Sequence, residues 1–267
     1  MTAGAIQLSA LDLVVSAVLV LAAGAVSVAL RLGMERRLAI AAARTVVQLL
    51  LVGYVLRFVF GLATVPAVLA MAAVMVTAAS RAAVQRASRT FGGATLRAFL
   101  TLVVCGLLTT FTVTRLVIGV EPWWQPRYLI PLLGMVLGNG LTGISLCLDT
   151  LLESLSDRRA EVEMELALGA TRWEAARGPL REAVRRGMIP IVNSMMVVGL
   201  VSLPGMMTGQ ILAGASPLEA VKYQIVIMFM VAGATSLGCI GMAMLVYRRL
   251  FNERHQLRAE RIRRRDG

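Results

Sequence analysis

Seven stretches of this chain are each apolar over roughly the 20 residues that an α-helix needs to cross about 30 Å of hydrocarbon. They fall at residues 9–30, 38–60, 62–80, 96–120, 126–148, 187–213 and 221–247. A soluble domain of 267 residues could not bury that much apolar side chain, and a hydrophobic content of 58% exceeds the roughly 45–50% of average chains. The expectation is therefore an all-α, polytopic integral membrane helix bundle with about seven transmembrane helices, a single domain over residues 1–267. The first stretch has no Lys or Arg before it and outruns a signal-peptide core, so it reads as a retained span.

Charge orients the spans. Twenty-six arginines and Lys222 stand against 15 acidic residues. Cytoplasmic loops retain positive charge. Twenty-two of the 27 basic residues fall on one side of the layout, while Arg57, Arg115, Arg127 and Lys222 fall on the other and Arg44 lies within a span. This predicts a multi-pass protein of the cell (inner or plasma) membrane, N-terminus outside and C-terminus cytoplasmic. Residues 248–267 carry eight arginines and read as a basic cytoplasmic tail on anionic lipid, each charge contributing about 1 kcal/mol near the surface. Nucleic acid is disfavoured as a partner, because the basic residues lie in short runs between apolar spans.

Cys105, Cys147 and Cys239 sit in apolar stretches without C-x-x-C or Cys/His spacing, which argues against a disulfide framework or a zinc site; packing as small hydrophobes is expected. His255, the one histidine, reads as a solvated residue of the tail. No nucleophile–base pair stands near either interface, so a membrane-bound enzyme is the weakest functional class.

The longest polar segment, residues 149–186, has ordered charges. Asp149, Glu153, Asp157, Glu161 and Glu165 recur every four residues, beside an apolar stripe of Leu151, Leu155, Val162 and Leu166. Arg177, Arg181 and Arg185 also recur every four residues. Two helices of opposite charge, paired across a cytoplasmic hairpin, follow as an expectation. Gly169 suits the left-handed position after a helix end, and Thr171-Arg172-Trp173-Glu174 has the form of a capping box. Gly178-Pro179 is expected to break the second helix. A tip exposing Arg172 and Trp173 has the shape to plug into another protein; a plain connector is the rival reading.

Glu163-Met164-Glu165-Leu166-Ala167-Leu168-Gly169-Ala170-Thr171 resembles the E-A-A…G loop with which ABC transporter permeases dock on a separate ATPase. Met164 and Glu165 stand where that loop has two alanines, and its later I-x-L-P element is not at the usual spacing. Several separated blocks are similar to the FetB family of iron-export ABC permeases. They are Arg44-Thr45-Val46-Val47-Gln48 through Gly53-Tyr54-Val55-Leu56, Gly134-Met135-Val136-Leu137-Gly138-Asn139, and the run from Gly199 to Gly209 that contains Ser202-Leu203-Pro204-Gly205-Met206-Met207. Val221-Lys222-Tyr223-Gln224 and Arg254-His255-Gln256-Leu257 fit as well. Plant relatives of that family are linked to aluminium tolerance. The resemblance implies a permease domain, two copies of it with two FetA-like ATPases, iron as the transported ion, and coupling through Glu163, Glu165, Gly169, Ala170, Thr171, Arg172, Trp173 and Glu174. ATP and Mg would bind the partner: the P-loop requires G-x-x-x-x-G-K-[ST], and the sole lysine, Lys222, lies between Val221 and Tyr223.

Polar residues within spans are costly in lipid and usually face a bundle interior or a water-filled path. Arg44 and Gln48 are one turn apart in the second span, although Arg44 is near enough to the interface to snorkel. Asn139 lies mid-span with Met135 on its face. Ser202-Leu203-Pro204-Gly205 interrupts the sixth span, and Met206, Met207 and Gln210 cluster beside it; broken helices free carbonyls that can coordinate a cation. Thioethers suit soft ions, but with 15 methionines core filling is the commoner role for any one. The metal ligands stay unassigned. Gly138-Asn139-Gly140-Leu141-Thr142-Gly143 fits G-x-G-x-x-G, but no strand precedes it; Gly134 with Gly138, and Gly205 with Gly209, read as helix-packing pairs. The rival functions are an ATP-independent channel or secondary carrier using Arg44, Gln48 and Asn139, and an ABC exporter of another metal or of a sugar nucleotide.

Overall fold

A computed structural model describes residues 9–264. Arg265 and the last two residues of the expected basic tail lie outside the described residues. Helix α1 (Ala10–Ala29) starts at Ser9, whose side chain and Asp12 form a capping box, and α2 (Glu35–Leu62) returns beside it. Helix α3 (Val65–Arg86) leads to a short strand, β1 (Arg89–Phe91), and then to α4 (Ala94–Phe111), which continues through a π-helical turn at Thr112–Val117. The long α5 (Pro126–Asp157) is followed by α6 (Arg159–Ala167), α7 (Arg172–Val197), α8 (Gly205–Leu212), α9 (Pro217–Leu250) and the strand β2 (Ile262–Arg264).

Among the described residues, α1, α2, α3, α4 with its π turn, α5 and α9 are each long and apolar enough to cross a membrane. The architecture is an all-α membrane bundle. Its hub is α5, which packs against α3, α4, α7 and α9, and buries Leu133, Leu137, Ile144, Leu148, Leu151 and Leu152. The stripe Leu151, Leu155 and Val162 is buried as its spacing requires, with Leu166 packed against the same core. All three cysteines are buried and free.

The sixth crossing expected from sequence, 187–213, is not one helix. The end of α7 and all of α8 supply its two halves, separated by residues 198–204. Gly199 there takes φ +84°, and Pro204 bars helix from the residue before it and caps α8 instead. Conversely, α7 continues through Gly178-Pro179, where a break was expected, and through Pro190 as well. Pro179 is buried within the bundle, so packing of the surrounding helix outweighs the missing amide bond and the clash of the ring with the preceding turn, together about 3 kcal/mol.

Close packing also falls on different glycines from those the small-xxx-small pairs suggested. A Cβ on Gly187 would lie 2.7 Å from the Gly143 carbonyl oxygen and 2.9 Å from Cys147 Cβ; one on Gly143 would lie 2.6 Å from Thr235 Cγ2. This is where α5, α7 and α9 meet. Gly138, Gly205 and Gly209 have open space, and Gly134 touches only Met75.

The basic tail does not hang free. After α9 it folds back as a strap: Phe251 and Leu257 are buried, Asn252 and Gln256 bond each other, and β2 pairs antiparallel with β1, Arg89 opposite Arg264 and Phe91 opposite Ile262. At the other extreme, α1 and α2 form a hairpin in which Val59, with Val55, Leu56 and Phe60, packs against the core; Ser27 and Val59 are their only buried residues among those described.

Candidate functional site

Two features stand at opposite ends of α7. The first is the turn at its start. Gly169 takes φ +98°, and the Ala170 N–H donates back to the Glu165 carbonyl at 3.1 Å, closing α6 as its glycine predicts. Thr171 then opens α7: its N–H and hydroxyl donate to Glu174 Oε2 at 2.8 and 2.7 Å, while the Glu174 N–H donates to Thr171 Oγ1 at 3.3 Å. These bonds, the backbone one first, lower the pKa of the Glu174 carboxyl from its ordinary value, with the His255 ring nearby acting in the same direction. Leu168 and Trp173 remain exposed at the tip.

Arg172 is not free at that tip as expected. Its N–H donates to His255 Nδ1 at 2.8 Å, its Nη1 donates to the Asn252 carbonyl at 3.2 Å, and its guanidinium lies over the Tyr247 ring. Trp173 meets the same ring edge-on. His255 is thus no bystander; it ties the strap to the start of α7. Glu163 pairs with Arg159 at 2.7 Å on α6, and Glu165 is exposed.

The charge ridges pair differently from the expected hairpin. Asp157 binds Arg89 at 2.7 Å and Asp149 accepts from the Ser88 N–H and hydroxyl at 2.7 and 2.6 Å, so the acidic ridge holds the β1 loop. Arg177, Arg181 and Arg185 stay exposed and form no ion pair among the described residues, because α7 turns its buried face, Ala176, Leu180, Ala183 and Gly187, toward α5.

The second feature is the break at 198–204. A cavity of about 400 Å³ is lined by Met195 and Gly199 from the break's near side, Met207 from α8, and Gln224 and Met228 from α9. Gln224 is 94% buried, and its Oε1 has no hydrogen-bond partner. An orphaned buried amide oxygen costs roughly 1–3 kcal/mol. Gln210 Oε1 on α8 is likewise buried and unpartnered. Met206 is partly buried against the small apolar cluster that includes Ile191 and Ile227, a core role; the Pro204 carbonyl accepts from the Thr208 hydroxyl, and the Ser202 carbonyl accepts from the Gly199 N–H.

Sequence reasoning found Met207 here, with Gln210 a turn further along α8, but passed over Gln224, Met195 and Met228 as site residues. Gln224 carried a signal, as a glutamine among apolar residues of the last span; Met195 and Met228 carried none beyond their residue type. Arg44 and Gln48 do not join this cavity. They are exposed on the outlying α2, and Asn139 is exposed on α5 with its Nδ2 donating to the Met135 carbonyl at 3.0 Å. Among the described residues, no group of three or more His, Cys, Asp or Glu could hold a metal ion.

A model of the uncharacterised protein family UPF0014 matches residues 10–251. The chain belongs to the UPF0014 family. It is 42% identical to a UPF0014 membrane protein of Synechocystis over 81% of this chain and 84% of the relative. It is 35% identical to "Probable iron export permease protein FetB" of Escherichia coli over 85% of this chain and 86% of the relative. Protein ALUMINUM SENSITIVE 3 of Arabidopsis thaliana is 35% identical over 90% of this chain and 86% of the relative. No solved structure matches the chain. The UPF0014 match ends at the strap's first residue, Phe251, and so takes in both ends of α7.

Proposed function

We propose that this UPF0014 protein is the permease subunit of an ATP-driven exporter, that iron is its cargo, and that ATP is hydrolysed by a separate ATPase seated on the turn at 168–174. The observation that carries this reading is the continuity of α7. One unbroken helix of 26 residues, about 39 Å long at 1.5 Å per residue, joins the rigid, doubly capped turn to the break beside Gln224. A push on the exposed turn reaches the break as a movement of one rod.

The name of the Escherichia coli relative supports iron. At the break the chain offers amide and carbonyl oxygens to a hard cation and thioethers to a soft one. A transient oxygen-lined path suits a cargo that must also be released, so a tight resident site is not required. By the plan of such transporters, two permeases assemble with two ATPases in the cell membrane, with the turn and the C-terminus cytoplasmic. Gly169, Ala170, Thr171, Trp173 and Glu174 then form the docking tip, while Met207, Gln210 and Gln224 border the path.

Co-expression with a neighbouring ABC ATPase, reconstitution in lipid, and ATP hydrolysis measured with ferrous, ferric, copper and aluminium ions test it. Metal-selective stimulation, abolished by Gly169→Pro or by deletion of 168–174 while the spans still insert, is the expected result. Transport that survives either change, or no association with the ATPase, rejects the coupling and favours a channel or secondary carrier.

A further inference from the structure

A cavity of about 1320 Å³ lies at the opposite end from the break, between the turn before α7, the end of α9 and the strap. Six arginines line it: Arg172, Arg248, Arg249, Arg254, Arg258 and Arg261. Three glutamates, Glu163, Glu253 and Glu260, accompany them, and Glu163 is already engaged by Arg159. Among the described residues none of the six arginines has a carboxylate within ion-pair distance, whereas Arg89, Arg115, Arg158, Arg159 and Arg186 elsewhere each have one.

The fold holds these like charges together. The Arg261 guanidinium reaches the Arg249 carbonyl at 3.4 Å. Its pKa is lowered from the ordinary value by desolvation and then by Arg258 and Arg249, with Glu260 offsetting them in part. The strap that carries Arg254, Arg258 and Arg261 is fixed, not loose: Phe251 and Leu257 are buried, the Arg258 N–H donates to the Leu250 carbonyl at 2.7 Å, and His255 accepts from Arg172. An arginine array held by its own backbone against its own repulsion, six guanidinium groups to three glutamates and with no ion pair to any of the six among the described residues, is preorganised for a polyvalent anion. Planar guanidinium forks match phosphate oxygens two at a time. Leu166, Phe251 and Leu257 supply an apolar wall beside them. The space exceeds what a single inorganic ion would fill.

We propose that this bowl binds an anion carrying two or more phosphates, with Arg249, Arg258 and Arg261 as its principal contacts. Because Arg172 lines the bowl and is the first residue of α7, the bound anion bridges the strap to the turn and stiffens it. Two phosphates close together are common to a lipid headgroup, such as that of cardiolipin with its two phosphodiesters, and to a soluble species such as pyrophosphate or a nucleoside diphosphate. The site depends on the strap and not on what the protein transports.

The test uses the full chain, purified without any ATPase. Inorganic pyrophosphate binding is measured by equilibrium dialysis in neutral detergent. Lipid binding is measured as the rise in Tm on moving from phosphatidylcholine discs to discs that also contain cardiolipin. The Arg249→Gln, Arg258→Gln, Arg261→Gln triple variant is compared with an Arg36→Gln, Arg37→Gln, Arg81→Gln variant that removes the same charge from exposed positions. Saturable binding in either arm, weakened about tenfold or more in the first variant and unchanged in the second, is the expected result. The arm that saturates names the source. The unliganded triple variant is expected to keep or raise its Tm, since repulsion is relieved, which separates lost binding from lost folding. No saturable binding in either arm, equal weakening in both variants, or occupancy only by an added acidic protein overturns the proposal.

Discussion

Single residues divide here into those that close a turn and those left open at a cavity. Thr171 and Glu174 do the first: Thr171→Ala is expected to cost about 1 kcal/mol of α7 stability, measurable by thermal unfolding. Glu174 adds a pH dependence. Its folded pKa is lowered, so its contribution is complete above the ordinary glutamate value of about 4.3 and is lost as pH falls through the lower folded value. Trp173 emission, followed through that acidic window, should shift in the parent chain and not in Glu174→Gln. Gln224 does the second. With Oε1 orphaned in the fold, Gln224→Leu should leave Tm unchanged or raise it, and an oxygen needed by the cargo would then show as lost transport at full stability. Unchanged transport in that variant removes Gln224 from the path. The turn was readable in advance because capping uses neighbours three residues apart; the orphaned oxygen was not, because orphaning depends on which helices surround it.

Between elements, the decisive contact is the Gly143–Gly187 crossing. Gly187→Ala puts a methyl group against the Gly143 carbonyl and Cys147 Cβ, neither of which is a flexible side-chain end, so α5 and α7 must separate. A cost of about 1–3 kcal/mol is expected, with a lower Tm in detergent. Gly209→Ala, in open space on α8, should be neutral or slightly stabilising, since alanine favours helix by about 1 kcal/mol. The reverse order of stability for these two variants would contradict the packing described. A pattern of glycines four apart in sequence marks a face where helices could approach, but not which faces do. The other six long spans were legible from length and hydropathy alone, whereas the division of the sixth, 187–213, between α7 and α8 turned on whether Pro179 or Pro204 would break a helix. Pro179 sits in a packed rod and is absorbed; Pro204 follows Gly199 in a loop with exposed Leu200 and Val201, where little packing opposes the break.

The whole molecule is a tight bundle around α5 with an outlying α1–α2 hairpin and a strap across its basic end. Truncation after Leu250 should remove the burial of Phe251 and Leu257, each worth about 1.5–3 kcal/mol, and unpair β1. A drop in Tm larger than for any single variant above is expected, together with loss of the Arg172 bonds that hold the start of α7. No fall in Tm on truncation would mean that the strap is only a tail. The membrane class, six of the spans and the capped turn were all written in local patterns: about 20 apolar residues in a row and a four-residue cap. Those features depend on the solvent and on near neighbours, which residue order specifies directly. The folding back of the strap, the redirection of Asp149 and Asp157 to β1, the Gly187 crossing, and the meeting of Met195, Met207, Gln224 and Met228 were decided by tertiary structure. Each joins residues from different helices, and which faces meet depends on how all the helices pack at once.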